Sequence, residues 1–375
     1  MNKKKIAFFL PKLTHGGAER VIIDIANNLS ERGYFIDIVL AKGGNVYIDE
    51  ISTSINVIDL KCKSTFLSFF PLSRYIKQSC PDGIISALSH ANCAVLLARK
   101  INNNKIKTNV VVSERNISFQ NTTNKIGFKR IALNFLIKYL YPDAKCIITV
   151  SKGVRESIIN TYKFKRNQVK CIYNPIDLKK INKLKSKNFL NSAIIDELKT
   201  ENQKIILSVG SLTPQKNYSL LIKAFKIVRE KINCKLIILG EGPERSKLDE
   251  LCRNLEIDSK SICLPGFIAN PFPYMKACDL YVLSSLWEGL PNVLIQALAC
   301  ECRIVSTDCD AGPREILEDG KWGRLTKVND INELADAMIE QLNKKNQNYS
   351  NSRKGRLNRF KVADVTDQYL EALEL

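Results

Sequence analysis

The stretch from Trp287 to Leu317, WEGLPNVLIQALACECRIVSTDCDAGPREIL, contains the residues best suited to chemistry. Glu288 stands before a Gly-Leu-Pro break and an apolar run of helical length. Because the φ angle of proline is preset for a first helical turn, Pro291 predicts a helix that begins near Leu290. The first N–H groups of a helix lack internal partners and carry the positive end of its dipole, so they attract phosphate oxygens. The pattern indicates a phosphate site beside a carboxylate, although an ordinary buried helix with a solvated Glu288 fits the same spacing.

Polar and apolar positions divide this predicted helix into two faces. Asn292 and Gln296 are four positions apart and share one side. The other side is formed by Leu294, Ile295, Leu298 and Ala299. The helix is therefore expected to pack its aliphatic side on a sheet.

Three loops that follow apolar strands contain glycine or lysine. Gly16 and Gly17 follow the first strand and let backbone N–H groups approach a ligand. The loop 210–217 supplies Lys216 as a point charge for phosphate, and Gly242 lies in the loop after KLIIL. Ligands of open parallel sheets bind beyond the carboxyl ends of the strands, where these loops lie. They contain neither GxGxxG nor GxxxxGKS/T, which argues against dinucleotide and P-loop sites, and each loop alone fits a plain turn.

Strand-like and helix-like segments alternate through two halves of the chain. Strands are predicted at KKIAFFL, YFIDIVLA, GIISAL, NVVVSE and AKCIITV, and again at KIILSVG, CKLIILG, SICLPG and DLYVLSS. This alternation predicts an α/β fold with doubly wound parallel sheets. A polar, basic stretch separates the halves, so domains are predicted at 1–178 and 179–358, with a final helix at about 359–375 expected to pack back on the first.

The composition of the 375 residues, 45% apolar and 25% charged, is that of a globular protein. No apolar run reaches the roughly eighteen residues of a membrane span. The start MNKKKIAFFLPKL is like a signal peptide, but Pro11 and the lack of a cleavage site favour a first strand. Twelve scattered cysteines indicate reduced thiols in the cytoplasm. No CxxC pair occurs, and Asp308-Cys309-Asp310 fits turn chemistry, so no metal site is predicted.

The net charge of +19 suits a nucleic acid, an anionic lipid surface or a phosphorylated substrate. Two segments, 63–77 and 125–141, mix Lys and Arg with bulky apolar residues. In the second, helical spacing of Ile131, Phe135 and Lys138 predicts an amphipathic basic helix that can lie on a membrane surface. Its predicted membrane-facing residues are Lys125, Phe128, Lys129 and Arg130. A core helix with a solvated basic face fits as well, and no segment resembles a nucleic-acid-binding module.

Seven short motifs resemble, in order, those of the GT-B glycosyltransferases of family four. They are GGAER, SERN, VSKG, IYNPID, VGSLTPQKNY, LGEGP, and EGLPNVLIQALA running on to GPREIL. The resemblance implies two Rossmann-like domains facing a cleft, a metal-independent retaining reaction and a nucleotide sugar as donor. The residues of these motifs are most similar to those of members that build bacterial surface glycans on undecaprenyl diphosphate, including N-acetylgalactosaminyltransferases.

The same resemblance assigns roles to single residues. Glu288 is expected to contact the transferred sugar, Lys216 the leaving phosphates, and Phe267 the neighbourhood of the base. Catalysis is thus expected of Glu288 and Lys216. Donor binding is expected of Gly16, Gly17, Ser211, Lys216, Gly242, Phe267, Glu288, Gly289, Leu290, Asn292, Val293 and Gln296. The acceptor side is expected to include His15, Glu114 and Arg115.

The chain departs from the family pattern in four ways. Gln296 stands where the family has the second glutamate of the donor element. Its neutral amide can still bond ribose hydroxyls, but this hydrogen bond is weaker than one to a carboxylate by about 1 kcal/mol. Ser211 stands for an arginine, which leaves its charge to be supplied by Arg115, Arg20 or Lys216. Glu114 and Arg115 stand where many members have a histidine. Glu301 replaces a helix-ending glycine and costs about 1 kcal/mol if it must be left-handed.

The resemblance and the charge together predict a retaining enzyme that transfers a hexose or N-acetylhexosamine in α linkage. The expected donor is UDP-GalNAc, UDP-Gal or UDP-Glc, and the expected acceptor is an undecaprenyl-diphosphate-linked saccharide of O-antigen or capsule synthesis. No cofactor is expected, and the enzyme is expected at the inner face of the cytoplasmic membrane. The alternative is a catalytically degenerate protein that binds nucleotide or glycolipid, motivated by Gln296 and Ser211. A nucleic-acid partner rests on charge alone and is not expected.

Overall fold

The computed structural model describes residues 4–14, 16–44, 47–102, 107–116, 128–186, 203–344 and 350–375. The chain divides into two compact units, one of Met1–Ile176 with Arg359–Leu375 and one of Asp177–Asn358. This division falls two residues before the predicted boundary between 178 and 179, and it assigns the C-terminal segment to the first unit.

Thirteen strands and fourteen α-helices occur among the described residues. The strands are β1 Lys5–Leu10, β2 Phe35–Leu40, β3 Asn56–Asp59, β4 Gly83–Ala87, β5 Asn109–Glu114, β6 Cys146–Thr149, β7 Val169–Cys171, β8 Lys204–Val209, β9 Cys234–Leu239, β10 Ile262–Gly266, β11 Leu280–Leu283, β12 Ile304–Thr307 and β13 Arg324–Thr326. The helices are α1 Gly17–Glu31, α2 Phe69–Ser79, α3 Ser89–Ile101, α4 Phe128–Leu140, α5 Lys152–Tyr162, α6 Leu178–Leu184, α7 Tyr218–Lys231, α8 Arg245–Asn254, α9 Phe272–Ala277, α10 Asn292–Ala299, α11 Pro313–Ile316, α12 Ile331–Asn343, α13 Ser350–Leu357 and α14 Val362–Leu373.

Each unit contains one parallel sheet. In the first, the described strands run in the order β3-β2-β1-β4-β5-β6-β7, and in the second the order is β10-β9-β8-β11-β12-β13. The order therefore changes direction at β1 in one sheet and at β8 in the other, and these switch points are where open sheets bind ligands. This architecture confirms the predicted α/β fold of two Rossmann-like sheets.

Buried runs explain why the central strands form. Every residue from Ile6 to Leu10 in β1 and from Val110 to Val112 in β5 is almost fully buried. Such continuous apolar runs are typical of parallel strands covered by helices on both faces. The first core also includes the apolar side of α1 and residues of α14, such as Tyr369. The aliphatic side chains of β8, β9 and α7 form the core of the second unit.

The C-terminal helix α14 is fastened to the first unit by polar contacts as well as by its apolar side. Arg32 at the end of α1 forms an ion pair with Asp367 and donates to the carbonyl of Ala363 at 3.0 Å. The Asn109 amide donates to the carbonyl of Leu373 at 2.7 Å. The segment therefore completes the first unit after the chain has passed through the second.

Helix α10 begins and ends with two unusual residues. The helix begins at Asn292, two residues after the predicted start near Leu290, because Pro291 is extended (φ −70°, ψ 101°) and its carbonyl accepts the first helical N–H, from Leu294, at 2.9 Å. At the other end, Glu301 is left-handed with φ 65°. Its N–H donates to Leu298 at 3.1 Å, and the N–H of Cys302 donates to Ala297 at 3.0 Å. This is a Schellman motif with glutamate where glycine is favoured.

Replacing Glu301 by glycine is therefore expected to stabilise the protein. The left-handed conformation strains an L-residue, and relief of that strain should raise the free energy of unfolding by about 1 kcal/mol in urea denaturation. Glu301→Ala is the matched control, because it removes the carboxylate and keeps the strain. An equal gain in both variants would mean that charge, and not backbone conformation, sets the cost at this position.

Candidate functional site

An ion pair between Lys216 and Glu288 lies at the carboxyl ends of β8 and β11. Lys216 Nζ is 2.5 Å from Glu288 Oε1, and the side chains are only 14% and 8% exposed. The Ser285 hydroxyl donates to the same oxygen at 2.7 Å. The predicted catalytic residues thus lie in direct contact, with the carboxylate held by a cation and a hydroxyl.

The loops that carry the two charges are tied to each other. The side-chain amide of Gln215 donates to the backbone carbonyl of Trp287 at 2.9 Å. The backbone carbonyl of Gln215 accepts from the N–H of Leu286 at 2.8 Å. The Ser284 hydroxyl donates to the carbonyl of Lys216 at 2.8 Å. Because backbone and side-chain bonds cross in both directions, the position of the ammonium relative to the carboxylate is fixed by the loops.

The surroundings of the pair are largely withdrawn from water. Burial, reinforced by the Glu288 charge, raises the pKa of the Cys309 thiol to about 12, so this neighbour is neutral near pH 7. In such surroundings, two opposite charges interact more strongly than at the surface, and each depends on the other. A ligand that enters here meets a preformed positive and negative charge side by side.

Glycines bring the loops after β8 and β9 into backbone contact. A Cβ on Gly240 would lie 1.9 Å from the carbonyl oxygen of Gly210, and one on Gly242 would lie 2.4 Å from that of Leu212. The N–H of Leu212 donates to the carbonyl of Glu241 at 2.9 Å. Gly242 therefore has a packing role in addition to its predicted role in donor binding.

The other predicted donor-side residues of the second unit line the same end of its sheet. Ser211 is exposed at the end of β8, and Phe267 is 49% exposed at the end of β10. Gly289 and Leu290 are buried beside Glu288, whereas the side of α10 that is not in the core is formed by Asn292, Val293 and Gln296.

The glycine loop of the first unit has an anionic neighbour. Gly16 is the N-cap of α1, and a Cβ there would lie 2.1 Å from Oε2 of Glu19. Thr14 donates to Glu19 at 2.9 Å, which holds the carboxylate over the helix start. Phosphate binding by Gly16 and Gly17 stays a prediction, and this carboxylate opposes it in the conformation seen.

The arginines considered as substitutes for the missing charge at Ser211 have partners within the first unit. Arg20 forms ion pairs with Glu50 at 2.7 Å and with Asp24 at 3.5 Å. Arg115 donates to Asn174 at 3.0 Å and to Tyr369 at 3.2 Å. Lys216 is therefore the candidate cation whose position lies at the predicted donor site.

Glu114 is buried at the carboxyl end of β5, with 2% of its surface exposed. Its carboxylate accepts from the Tyr141 hydroxyl, from Ser89 Oγ at 3.0 Å and from the Asn92 amide at 3.2 Å. Burial raises the pKa of the Glu114 carboxyl, while these hydrogen bonds and the Arg115 charge act in the opposite direction. Any contact of Glu114 with an acceptor is therefore indirect in this conformation.

Some predicted residues lie outside the described part of the chain. These are His15 and Lys125, and the side chains of Phe128 and Lys129 are likewise not described. Sequence patterns alone do not identify Gln215, Ser285 or Ser89. Only their position in the sequence could have pointed to them, because each lies next to or near a predicted site residue or a strand end.

Helix α4 exposes large apolar side chains on one side. Ile131, Phe135 and Tyr139 follow each other at four-residue spacing and are 56%, 70% and 59% exposed. Leu67 and Phe70, 58% and 62% exposed, lie near α2, and α3 packs against both α2 and α4. We call these five residues the apolar patch. A helix is present where the amphipathic helix was predicted, and Ile131, Phe135 and Tyr139 face outward on it.

Two family descriptions match the chain in succession. Residues 15–180 match "Glycosyltransferase Family 4" and residues 192–357 match "Glycosyl transferases group 1". A Campylobacter jejuni enzyme, N-acetylgalactosamine-N,N'-diacetylbacillosaminyl-diphospho-undecaprenol 4-alpha-N-acetylgalactosaminyltransferase, is 32% identical and aligns over 99% of both chains. The chain belongs to the family 4 glycosyltransferases. The predicted enzyme class, a glycosyltransferase, is thereby confirmed.

Other relatives agree with this assignment. A second Campylobacter jejuni protein, GalNAc-alpha-(1->4)-GalNAc-alpha-(1->3)-diNAcBac-PP-undecaprenol alpha-1,4-N-acetyl-D-galactosaminyltransferase, is 26% identical over 98% of both chains. Anabaena HepE, solved in complex with UDP and glucose, has a TM-score of 0.80 at 21% identity over 99% of both chains. At that identity, the likeness to HepE supports the GT-B fold alone. In the described parts of this glycosyltransferase, every helix falls short of the length and apolar character needed to cross a membrane.

Removing one partner of the ion pair is expected to destabilise the glycosyltransferase more than removing both. Lys216→Met leaves the buried Glu288 carboxylate without its cation and should lower the free energy of unfolding by about 2 kcal/mol. Adding Glu288→Gln should recover part of that loss, because the uncompensated charge is then gone. Chemical denaturation of the four proteins of the cycle measures the coupling. Strictly additive losses would show that the two side chains do not depend on each other.

Proposed function

We propose that this glycosyltransferase transfers a hexose or N-acetylhexosamine from a UDP-sugar to a saccharide carried on undecaprenyl diphosphate. The observation that supports the proposal most strongly is the Lys216–Glu288 pair at the switch point of the second sheet. The names of both Campylobacter relatives specify undecaprenol-linked acceptors and GalNAc transfer, which favours UDP-GalNAc over UDP-Gal and UDP-Glc. UDP is proposed as the nucleotide because the motif resemblance implies it, and HepE, which shares the fold, was solved with UDP.

The proposed chemistry uses the two charges separately. Lys216 turns towards the diphosphate and stabilises the negative charge that develops when the sugar leaves. Glu288, released from its cation, accepts hydrogen bonds from hydroxyl groups of the sugar. The start of α10 lies just after Glu288 and adds the positive end of its dipole to the same phosphates. In this arrangement the protein itself supplies the positive charge, so the proposal includes no metal ion.

Stereochemistry and affinity form part of the same proposal. Attack from the face that the diphosphate leaves gives an α product with retained configuration, and a donor phosphate oxygen takes the acceptor proton. Gln296 hydrogen-bonds the ribose as a neutral group, and exposed Ser211 contributes no charge. Weaker donor binding than in a chain with glutamate and arginine at these positions is therefore part of the proposal.

Transfer from labelled UDP-sugars to a synthetic undecaprenyl-diphosphate saccharide tests the proposal. The wild-type protein should transfer at least one sugar of the UDP-GalNAc, UDP-Gal and UDP-Glc panel, with the α configuration read by NMR. Glu288→Gln should lower the rate at least about 100-fold, because the charged partner of the sugar hydroxyls is lost. Exposed Glu301 provides the matched control, Glu301→Gln. Binding of UDP without turnover of any sugar would instead support the degenerate alternative.

We further propose that the apolar patch brings the enzyme to an anionic membrane surface, where a lipid-linked acceptor resides. The outward-facing residues of α4 are bordered by exposed Lys138, and Lys100 lies 4.5 Å from the Tyr139 ring. Exposed Arg74 and Lys77 lie on α2. Exposed apolar side chains on helices that also carry exposed cations match the interface of an anionic bilayer, and the net charge of +19 adds a long-range attraction.

Sedimentation with vesicles of phosphatidylglycerol and phosphatidylethanolamine measures this association. Ile131→Ser with Phe135→Ser should weaken partitioning about tenfold or more, because two large side chains lose their insertion into the interface. Phe35→Ser is the control, since Phe35 is 58% exposed but begins β2, at the amino end of the sheet. Equal partitioning of both variants and the wild type would contradict the membrane role of the patch.

A further inference from the structure

The junction between β4 and α3 holds a strained backbone. Leu88 has φ 78° and ψ 132°, a conformation that a bulky L-residue rarely adopts. Its carbonyl accepts the first helical bond, from the N–H of Asn92 at 2.9 Å, so the chain turns from strand to helix within one residue. Strain of this kind persists where surrounding structure enforces it, and it is often found at functional sites. The turn presents Ser89, the first residue of α3, at the carboxyl end of the sheet.

The hydroxyl of Ser89 has a fixed direction. Ser89 Oγ donates its single proton to Glu114 Oε2 at 3.0 Å. The Glu114 carboxylate is in turn held by Tyr141 and Asn92, both fully buried. Because the proton points inward, the oxygen of half-buried Ser89 is left to accept a hydrogen bond from outside. Burying the Glu114 carboxylate among mainly neutral groups costs free energy. Its effect here is to orient the partly accessible hydroxyl of Ser89.

Unsatisfied polar atoms gather around the same strand ends. Twelve buried side-chain atoms lack a hydrogen-bond partner among the described residues, and five of them belong to β4, β5, the residues that follow β5, and the first turn of α3. The five are Ser86 Oγ, Asn92 Oδ1, Ser113 Oγ, Arg115 Nε and Asn116 Oδ1. Asn92 and Ser113 are fully buried. Buried polar atoms are normally paired, so such a concentration indicates a polar ligand or ordered water that supplies the missing partners. Four of the five can accept a hydrogen bond, so the partners they lack are donors such as ordered water.

We propose that Ser89 accepts a hydrogen bond from a hydroxyl group of the acceptor saccharide, and that Glu114 is the positioning residue that orients Ser89. The inference rests on the proposed function and names the acceptor contact of the first unit. It also gives Glu114 a role that is compatible with its burial: the carboxylate never touches the sugar, and it acts through the hydroxyl it holds. The strained Leu88 keeps Ser89 in place when the carboxyl end of the sheet is open to ligand.

Steady-state kinetics with the lipid-linked saccharide test this contact. Ser89→Ala should raise the acceptor KM or lower kcat/KM for the acceptor about tenfold, the usual effect of one hydrogen bond, while UDP affinity and Tm stay near the wild-type values. Ser89→Thr, which keeps a hydroxyl, should recover most of the loss. Ser54→Ala, at an exposed serine of the same unit, is the matched control.

The positioning role of Glu114 is tested by comparing the acceptor KM of the single variants at Glu114 and Ser89 with that of the double variant. Glu114→Gln replaces one acceptor oxygen by an amide that cannot hold Ser89 and Tyr141 in the same way, so the acceptor KM should rise as in Ser89→Ala. Combining the two changes should then cost little more than either alone. Additive losses, or a Glu114→Gln protein that is less stable with unchanged acceptor kinetics, would overturn the proposal and leave Glu114 a structural residue.

The outcomes also separate this inference from the proposed function. A wild-type enzyme that transfers sugar, with Ser89→Ala equally active at every acceptor concentration, contradicts the Ser89 contact alone and indicates that ordered water fills the polar cluster. A wild-type enzyme that transfers no sugar to the lipid-linked acceptor overturns the proposed function and the Ser89 contact together.

Discussion

The ion pair between Lys216 and Glu288 is the interaction on which the rest of the second unit depends. It joins the ends of β8 and β11, neighbouring strands at the switch point, and both charges are largely out of water. Moving charges out of water is expensive, and their attraction offsets that cost only when geometry is fixed. The crossed bonds of Gln215, Ser284 and Ser285 provide that geometry. A paired site of this kind is ready for a ligand that carries both negative phosphate and neutral hydroxyl groups.

The same constraint accounts for the glycines around the pair. The loops after β8 and β9 approach so closely that a side chain at Gly240 would overlap the backbone of Gly210. Gly312, with φ 90°, lies where a Cβ would meet Pro291 at 2.6 Å. Backbone therefore packs on backbone at this end of the sheet. In the first unit, a comparable concentration of polar groups surrounds Glu114, whose hydrogen-bond partners among the described residues include Ser89, Asn92 and Tyr141.

Most central strands could be predicted from the sequence, because the continuous apolar runs of β1, β5 and β9 do not have the three-to-four-residue spacing of an amphipathic helix. It did not predict the short strands β3, β7 and β13, which carry too few apolar residues to show a pattern. Glu288 and Lys216 were predicted as parts of one site, but their contact was not, since it depends on loops 72 residues apart in sequence. Equally, Glu19 could not be placed over Gly16 from sequence, because a side-chain rotamer decides it. From the sequence, a left-handed Glu301 was considered only as a case that would cost stability. The structure shows that conformation, together with the two hydrogen bonds of a Schellman motif.

Membership in the family establishes a glycosyltransferase, and the account of its mechanism centres on one charge. If Lys216 is the cation that receives the diphosphate, calorimetric titration with UDP should show binding to the wild type that weakens at least about tenfold in Lys216→Met, a loss of about 1.4 kcal/mol or more. Glu288→Gln should bind UDP as well as or better than the wild type, because its lysine is then free for phosphate. Unchanged UDP affinity in Lys216→Met would contradict the account, since the diphosphate would then bind elsewhere.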